Sequence, residues 1–324
     1  MGRMLDSPEQ LAFEGMGLDR APRRKSGSIV WSHSRRDVLA QCPLRYYFDY
    51  YGSNSRVALS EPRKEQLRFL KKLSNRHMRA GDIAHFVIRA YLKHLSDGEE
   101  WSLDRVVGWA REVFRRDLEF SRQYRRGTPL SGELKEPALL SEFYYGVPEA
   151  DKLWAESEER LVAALTNFVC SPKIEPFRRG GGRPDALVET RVNLKQERFT
   201  ITGKMDLAYP DYGRIVVADW KTGGAGGEDG VLQLYAYALE ATRRFGCDLA
   251  DLELYRVGLA HDEITAFTIG EREAKRARAR VLQDLETMEE LDAYGREAVA
   301  GAFTPCGQRR VCSMCRYQEF CPKE

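Results

Sequence analysis

Two carboxylates and an amine stand close together in the second half of this chain: Asp206, Asp219 and Lys221. Aspartates held side by side repel unless a cation sits between them, and hard divalent ions such as Mg²⁺ take oxygen ligands of this kind. A lysine just beyond the second aspartate can bind a phosphate oxygen or polarise a water. The chemistry these residue types permit is metal-assisted hydrolysis of a phosphate ester. The plain alternative is a salt bridge between Lys204 and Asp219, with Asp206 capping a strand end.

Such chemistry requires elements that hold the three side chains together. Residues 199–209 and 215–220 are rich in apolar and β-prone types, and Pro210-Asp211-Tyr212-Gly213 between them is turn chemistry. A symmetric hairpin sets Tyr209 opposite Arg214, Asp206 opposite Val217 and Lys204 opposite Asp219. Alternation with period 2 then puts Asp206, Asp219 and Lys221 on one face, the two aspartates diagonal and about 7 Å apart. A Gly-rich link at 223–227 leads into a helix whose Gln233 and Tyr237 share one face at i, i+4.

The ordered set Gly81-x3-His85, Gly203-x2-Asp206, Asp219-x-Lys221 and Gln233-x3-Tyr237 resembles the RecB-type branch of the PD-(D/E)XK nuclease superfamily. The resemblance runs in pieces from about residue 32 to 321. It implies an α/β fold: a restriction-endonuclease-like αβββαβ core with a helical insertion and a C-terminal iron–sulfur-binding segment. It implies that His85, Asp206, Asp219 and the backbone carbonyl of Trp220 hold Mg²⁺ or Mn²⁺. Lys221 would orient the water, and Gln233 and Tyr237 would position the phosphate or Lys221. Glu189, on the strand before Asp206, would hold a water or a second ion. Taken alone, Glu189 reads equally as a solvent-facing glutamate, and His85 as a core histidine in the apolar stripe of a helix over 81–94. An imidazole ligand suits Mn²⁺ better than Mg²⁺.

Of 324 residues, 43% are hydrophobic, enough for a sizeable core. Basic residues number 51 against 49 acidic, so net charge says little and local patches decide nucleic-acid binding. No apolar run approaches a membrane span and no hydrophobic signal segment is visible, so the expectation is a cytoplasmic protein with no membrane partner. The expected divisions are a mobile tail over 1–28, helices bearing the first cysteine and His85 over 29–96, and a helical insertion over 97–172. A core sheet and helix over 173–270 and a Cys-rich segment over 271–324 follow. Finer expectations are a capping box at Ser34–Asp37, a loop over 180–184 and strands over 186–193, 252–259 and 263–268. Helices are expected over 150–171, with Cys170 an inert core thiol, and over 271–298. Aromatics from Tyr46 to Tyr51 read mainly as core. Arg115, Arg116, Phe120, Arg122, Tyr124, Arg125 and Arg126 alternate basic and aromatic types, either a single-strand path or an amphipathic helix with an exposed Arg face.

Seven cysteines are present, four of them crowded at 306–321. Cys312-x2-Cys315-x5-Cys321 has metal or cluster spacing and needs a fourth thiolate. Cys306 would close a local zinc knuckle; Cys42, followed by Pro43, would close a site between the two ends of the chain. The resemblance implies the second, a [4Fe–4S] cluster on Cys42, Cys312, Cys315 and Cys321. That pattern is similar to the CRISPR-associated adaptation nuclease and the AddB nuclease domain. Closing a loop of about 270 residues would restrict the unfolded chain by up to roughly 5 kcal/mol on the disulfide entropy model, so the cluster's role would be structural.

The expected activity is a metal-dependent DNA nuclease, an exonuclease acting on DNA ends or single strands in repair, recombination or anti-phage defence. Relatives in the resembled branch work beside a helicase, an integrase or defence proteins. No Walker-type motif appears here. The alternative is a DNA-end-binding or complex-forming subunit whose nuclease is silent without a partner. A zinc-binding, RNA-interacting protein is a third reading, resting on the tail alone. Sequence does not set oligomeric state, polarity or strand preference.

Overall fold

The computed structural model describes residues 29–54, 59–133, 135–223, 230–297 and 300–321; the expected tail over 1–28 lies outside them. The chain enters through a short strand, β1 (Ile29–Trp31), that the sequence reading did not foresee. Helix α1 (His33–Gln41) is capped by Ser32, whose side chain accepts from Arg35 N–H at 3.1 Å. The cap is therefore two residues earlier than the expected box, and Asp37 pairs instead with His33 Nε2 at 3.2 Å. Pro43 starts α2 (Pro43–Tyr47), which continues as a π turn over Phe48–Gly52. Helix α3 (Glu61–Lys71) follows. Then comes α4 (Arg76–Ser96), begun earlier than expected because Asn75 caps the N–H groups of His77 and Met78.

Within the stretch read as a helical insertion, the described α-helix is α5 (Leu103–Gln123), the single turn α6 (Ser141–Tyr144) and the long helix that follows it. Between α5 and α6 the described residues, 124–133 and 135–140, are not helical. Helix α7 (Ala150–Cys170) ends in an exposed Cys170, not the core thiol expected. Residues 180 and 181, expected in a loop, close α8 (Glu175–Gly181), whose last turn lies against Tyr209 and Leu207.

The sheet uses β2 (Leu187–Lys195), β3 (Phe199–Asp211), β4 (Arg214–Lys221), β5 (Leu252–Gly258) and β6 (Glu263–Phe267). Helix α9 (Gly230–Phe245) connects β4 to β5 as a parallel crossover. Helix α10 (Glu271–Arg296) and the short α11 (Arg309–Cys312) complete the chain. Strand order is β1-β3-β4-β5-β6, with β2 on β3 as well.

The hairpin register differs from expectation. Asp211 pairs with Arg214 and Leu207 with Ala218. The turn is therefore the two residues Tyr212 and Gly213, both at positive φ (+41° and +82°), the backbone of a tight hairpin turn that matches strand twist. Pro210 and Asp211 stay in the strand. A shift of two residues preserves which face each side chain takes. Continued by one pair, it sets Asp206 directly across from Asp219 rather than from Val217. Lys204 pairs across to Arg191 on β2, not to Asp219.

Two apolar layers sandwich the sheet. Helices α4, α5, α7 and α8 pack on one face over Leu207, Tyr209, Ala218 and Trp220. The other face, with Ile201, Val217 and Leu254, takes α9, α10, the Tyr46–Tyr51 aromatics, Phe303 and Tyr317. The α2 aromatics are mostly buried, so they serve as core; Phe48 meets Tyr317 at 5.2 Å and Tyr47 meets Phe303 at 5.0 Å between ring centroids.

Candidate active site

Strand β3 has β2 along one edge, while β1 and β4 share the other. β1 pairs with 199–201 and β4 with 207–211. Between them, residues 202–206 of β3 have no ladder partner on that edge, and the Gly203–Asp206 motif occupies this split. Here the pleat also changes step: Met205 and Ala208 face one core and Leu207 the other. Where the ladder gives out, the Asp206 side chain takes over and Oδ2 accepts the Trp220 backbone N–H at 2.9 Å.

Glu189 on β2 falls between Val188↔Leu207 and Thr190↔Met205, hence across from Asp206, yet that pair is not formed. Its φ is +50°, a left-handed conformation costly for a glutamate. The side chain is buried, Oε1 meets His85 Nδ1 at 2.8 Å, and Lys204 Nζ contacts Oε2. His85 Nδ1 also lies 3.5 Å from Asp206 Oδ1. His85, Glu189 and Asp206 offer ligand atoms within 4.8 Å of one another, and no other His, Cys, Asp or Glu trio among the described residues does so.

Electrostatics follow from this crowding. Burial would lower the pKa of His85, but Asp206 and Glu189 outweigh it and lift the imidazole to about 9. Burial lifts Asp206 to about 8, with Asp219 and Glu189 adding to the rise. Burial also works to raise Glu189, yet His85 and Lys204 bring it below the usual carboxylate range. The cluster thus gathers positive charge to itself, as a cation site does.

From β4 a second line of groups runs to α9. Lys221 Nζ donates to Asp219 Oδ1 at 3.0 Å and to Gln233 Oε1 at 2.8 Å. Gln233 Nε2 donates to the Tyr237 hydroxyl at 2.7 Å. The two contacts fix which end of the Gln233 amide is which. Burial raises Tyr237 well above its ordinary pKa, so it stays a phenol. The Trp220 ring is buried edge-on to Phe168 and Phe177, which anchors β4 between Asp219 and Lys221.

The sequence reading missed Arg256. It sits in register with Asp219 on β5 and donates Nε to Oδ2 at 3.3 Å, both side chains buried. The start of α9 is shaped around it, since a Cβ on Gly230 would fall 1.5 Å from the guanidinium. An arginine inside the otherwise apolar run Leu254-Tyr255-Arg256-Val257 was the available signal. His33 was missed as well: burial lowers its pKa, and Lys221 and Asp219 both act on it.

A family model of the PD-(D/E)XK nuclease superfamily matches residues 30–322. The chain belongs to this superfamily. PD-(D/E)XK nucleases hydrolyse phosphodiester bonds with divalent metals, and the clustered His85, Glu189 and Asp206 are a candidate site for such an ion. The Gene 69 protein of Mycobacterium phage L5 is 24% identical over 264 residues, covering 75% of this PD-(D/E)XK chain and 84% of the phage protein. No helix among the described residues is long and apolar enough to cross a membrane.

A cluster of thiols brings together two distant parts of this PD-(D/E)XK chain. Cys42, Cys306, Cys312, Cys315 and Cys321 all line one cavity of about 440 Å³. Cys306 and Cys312 approach to 3.8 Å between sulfurs. Burial raises the Cys315 thiol to about 11, with Cys42 and Cys321 adding to the rise. Cys247 lines a different cavity. Asp49 ties the tail down: it accepts from Arg316 Nη2 at 2.6 Å and from the Tyr317 hydroxyl at 2.7 Å.

Proposed function

We propose that this chain is a metal-dependent deoxyribonuclease of the RecB-type branch, acting as an exonuclease on DNA ends or single strands. The observation that carries the reading is the convergence of His85, Glu189 and Asp206 beside the Asp219–Lys221 pair. In this reading His85, Asp206, Asp219 and the Trp220 carbonyl hold Mg²⁺ or Mn²⁺; hard oxygens with one imidazole suit those ions. When bound, the ion supplies Lewis acidity toward the scissile phosphate. Lys221, steadied between Asp219 and Gln233, orients the attacking water and neutralises charge growing on the phosphate. The Tyr237 hydroxyl accepts from Gln233, which leaves its own proton for a phosphate oxygen. Glu189 fixes the His85 ring and orders water beside it.

Cys42, Cys312, Cys315 and Cys321 would hold a structural [4Fe–4S] cluster. Support comes from the shared cavity, which joins Cys42 to thiols some 270 residues later. The 3.8 Å approach of Cys306 to Cys312 matches one edge of a zinc tetrahedron built on Zn–S bonds of about 2.3 Å. In this reading Cys306 is a spare thiol beside the cluster ligands.

The test is hydrolysis of end-labelled single- and double-stranded DNA with Mg²⁺ or Mn²⁺. Asp219→Ala and Lys221→Ala are expected to lower the rate by at least about 10²-fold. Parent-like rates in both variants would defeat the site assignment. Tight DNA binding with no cleavage in either metal would favour a complex-forming subunit that is silent without a partner.

A further inference from the structure

A groove of about 760 Å³ opens between α3 and the chain following α5. Phe69, Tyr124 and Tyr144 line it, together with Arg68, Lys72 and Arg126. The rings form a run: Phe69 lies 6.2 Å from Tyr124 and 5.4 Å from Tyr144 between centroids, and all three are half-buried. The Arg126 guanidinium stands 5.7 Å from the Tyr144 ring centroid. The wall is held open by its own bonds, Lys72 Nζ to the Leu130 carbonyl at 2.6 Å and the Tyr124 hydroxyl to the Thr128 carbonyl at 3.2 Å.

The charges here differ from those on the neighbouring helix. On α5, Arg115 is paired with Glu112 and Glu119, and Arg122 with Asp151. Among the described residues neither Lys72 nor Arg126 meets a carboxylate; Arg68 pairs with Glu61 at 3.8 Å, and the acids at the groove are Glu65 in its lining and Glu319, which bonds Gln66 and Tyr144 at its edge. A basic groove with aromatic faces suits a polyanion whose flat bases are unpaired, since stacking needs a base out of its duplex.

We propose that this groove binds single-stranded DNA, its rings stacking on bases and its cations meeting the backbone. The proposal rests on the nuclease reading and adds a path to it. Helix α4 begins at Arg76, just beyond Lys72, and His85 lies about 14 Å along its axis at 1.5 Å per residue. In this proposal a strand seated in the groove continues along α4 to the catalytic cluster.

The test uses the full chain in EDTA, so it reads binding apart from cleavage. Fluorescein-labelled oligodeoxythymidylate should bind more tightly than a blunt duplex of equal length, by fluorescence anisotropy. Phe69→Leu and Tyr124→Leu keep apolar bulk without the ring, and each should weaken binding about 10-fold. Arg126→Gln should reduce the log–log salt slope by about 0.7. Photo-crosslinking the parent protein to an iodouracil-substituted oligonucleotide should give adducts at Phe69, Tyr124 or Tyr144 by peptide mass mapping. Equal affinity for duplex, parent-like binding by both leucine variants, or adducts only elsewhere would overturn the proposal. Failure of the nuclease reading would show separately, as bound DNA left uncut in Mg²⁺ and Mn²⁺.

Discussion

Arg256 and Asp219 are neighbours in parallel register, joined at 3.3 Å in the interior of the sheet. Read across the strands, Glu189, Asp206, Asp219 and Arg256 fall at one level, one charged residue on each of β2 to β5. The arginine is the inner end of that row. It compensates Asp219 from β5, while Lys221, which also meets Gln233, does so from β4.

Removing the arginine should leave a buried carboxylate short of a partner. Arg256→Met is expected to cost about 3 kcal/mol of stability, the range for breaking a buried ion pair. Adding Asp219→Asn should cost less than the sum of the two single changes, because the pair acts as a unit. Urea denaturation of the four proteins measures this; strict additivity would show that the two groups are energetically independent.

A second buried pair fixes the helix that carries His85. Arg79 on α4 meets both Asp117 oxygens on α5, at 2.6 and 3.1 Å. Asp117→Ala should destabilise the fold by about 3–5 kcal/mol, since the buried Arg79 would lose the carboxylate that accepts two of its hydrogen bonds. A midpoint unchanged in chemical denaturation would refute that account.

Stability without metal should fall as pH rises. The His85 pKa is raised, so the contribution of its imidazolium is complete below about 6.5 and lost as pH passes about 9. The Asp206 pKa is raised too, so the fold favours its neutral carboxyl, and that contribution fades as pH climbs through about 8. A divalent cation competes with these protons. The rise in Tm caused by saturating Mg²⁺ should therefore grow between pH 6.5 and 9, by scanning fluorimetry against an EDTA control. A constant or shrinking increment would contradict it.

Thiol identity can be read from metal content. Cys42→Ala should lose iron and visible absorption in anaerobically purified protein, together with soluble yield, whereas Cys247→Ala should keep both. Full iron content in Cys42→Ala would transfer the fourth ligand to Cys306.

Much of this was legible where local chemistry and tertiary need agree. The strand–turn–strand ribbon around Asp206 and Asp219, and the i, i+4 pair on α9, announce themselves through alternation and helical spacing. What stayed hidden depends on distant partners. Strand β1 is three residues long and exists through its parallel pairing with β3. The two-residue turn requires Tyr212 at positive φ, which no local preference suggests. The left-handed backbone of Glu189 accompanies side-chain contacts to His85 and Lys204, residues distant in sequence. In 115–126 the helical Arg face is what forms, while the aromatic and basic pattern gains meaning only past the helix end, where Phe69 joins it.

Tyr317 packs against Phe48 and bonds Asp49, partners about 270 residues earlier. The aromatic segment near residue 48 thus finds part of its cover locally, in Leu67 on α3 and in its own rings, and the rest only when residues 303–317 arrive. Contacts of such long range slow folding, so the burial of this segment is expected to finish late.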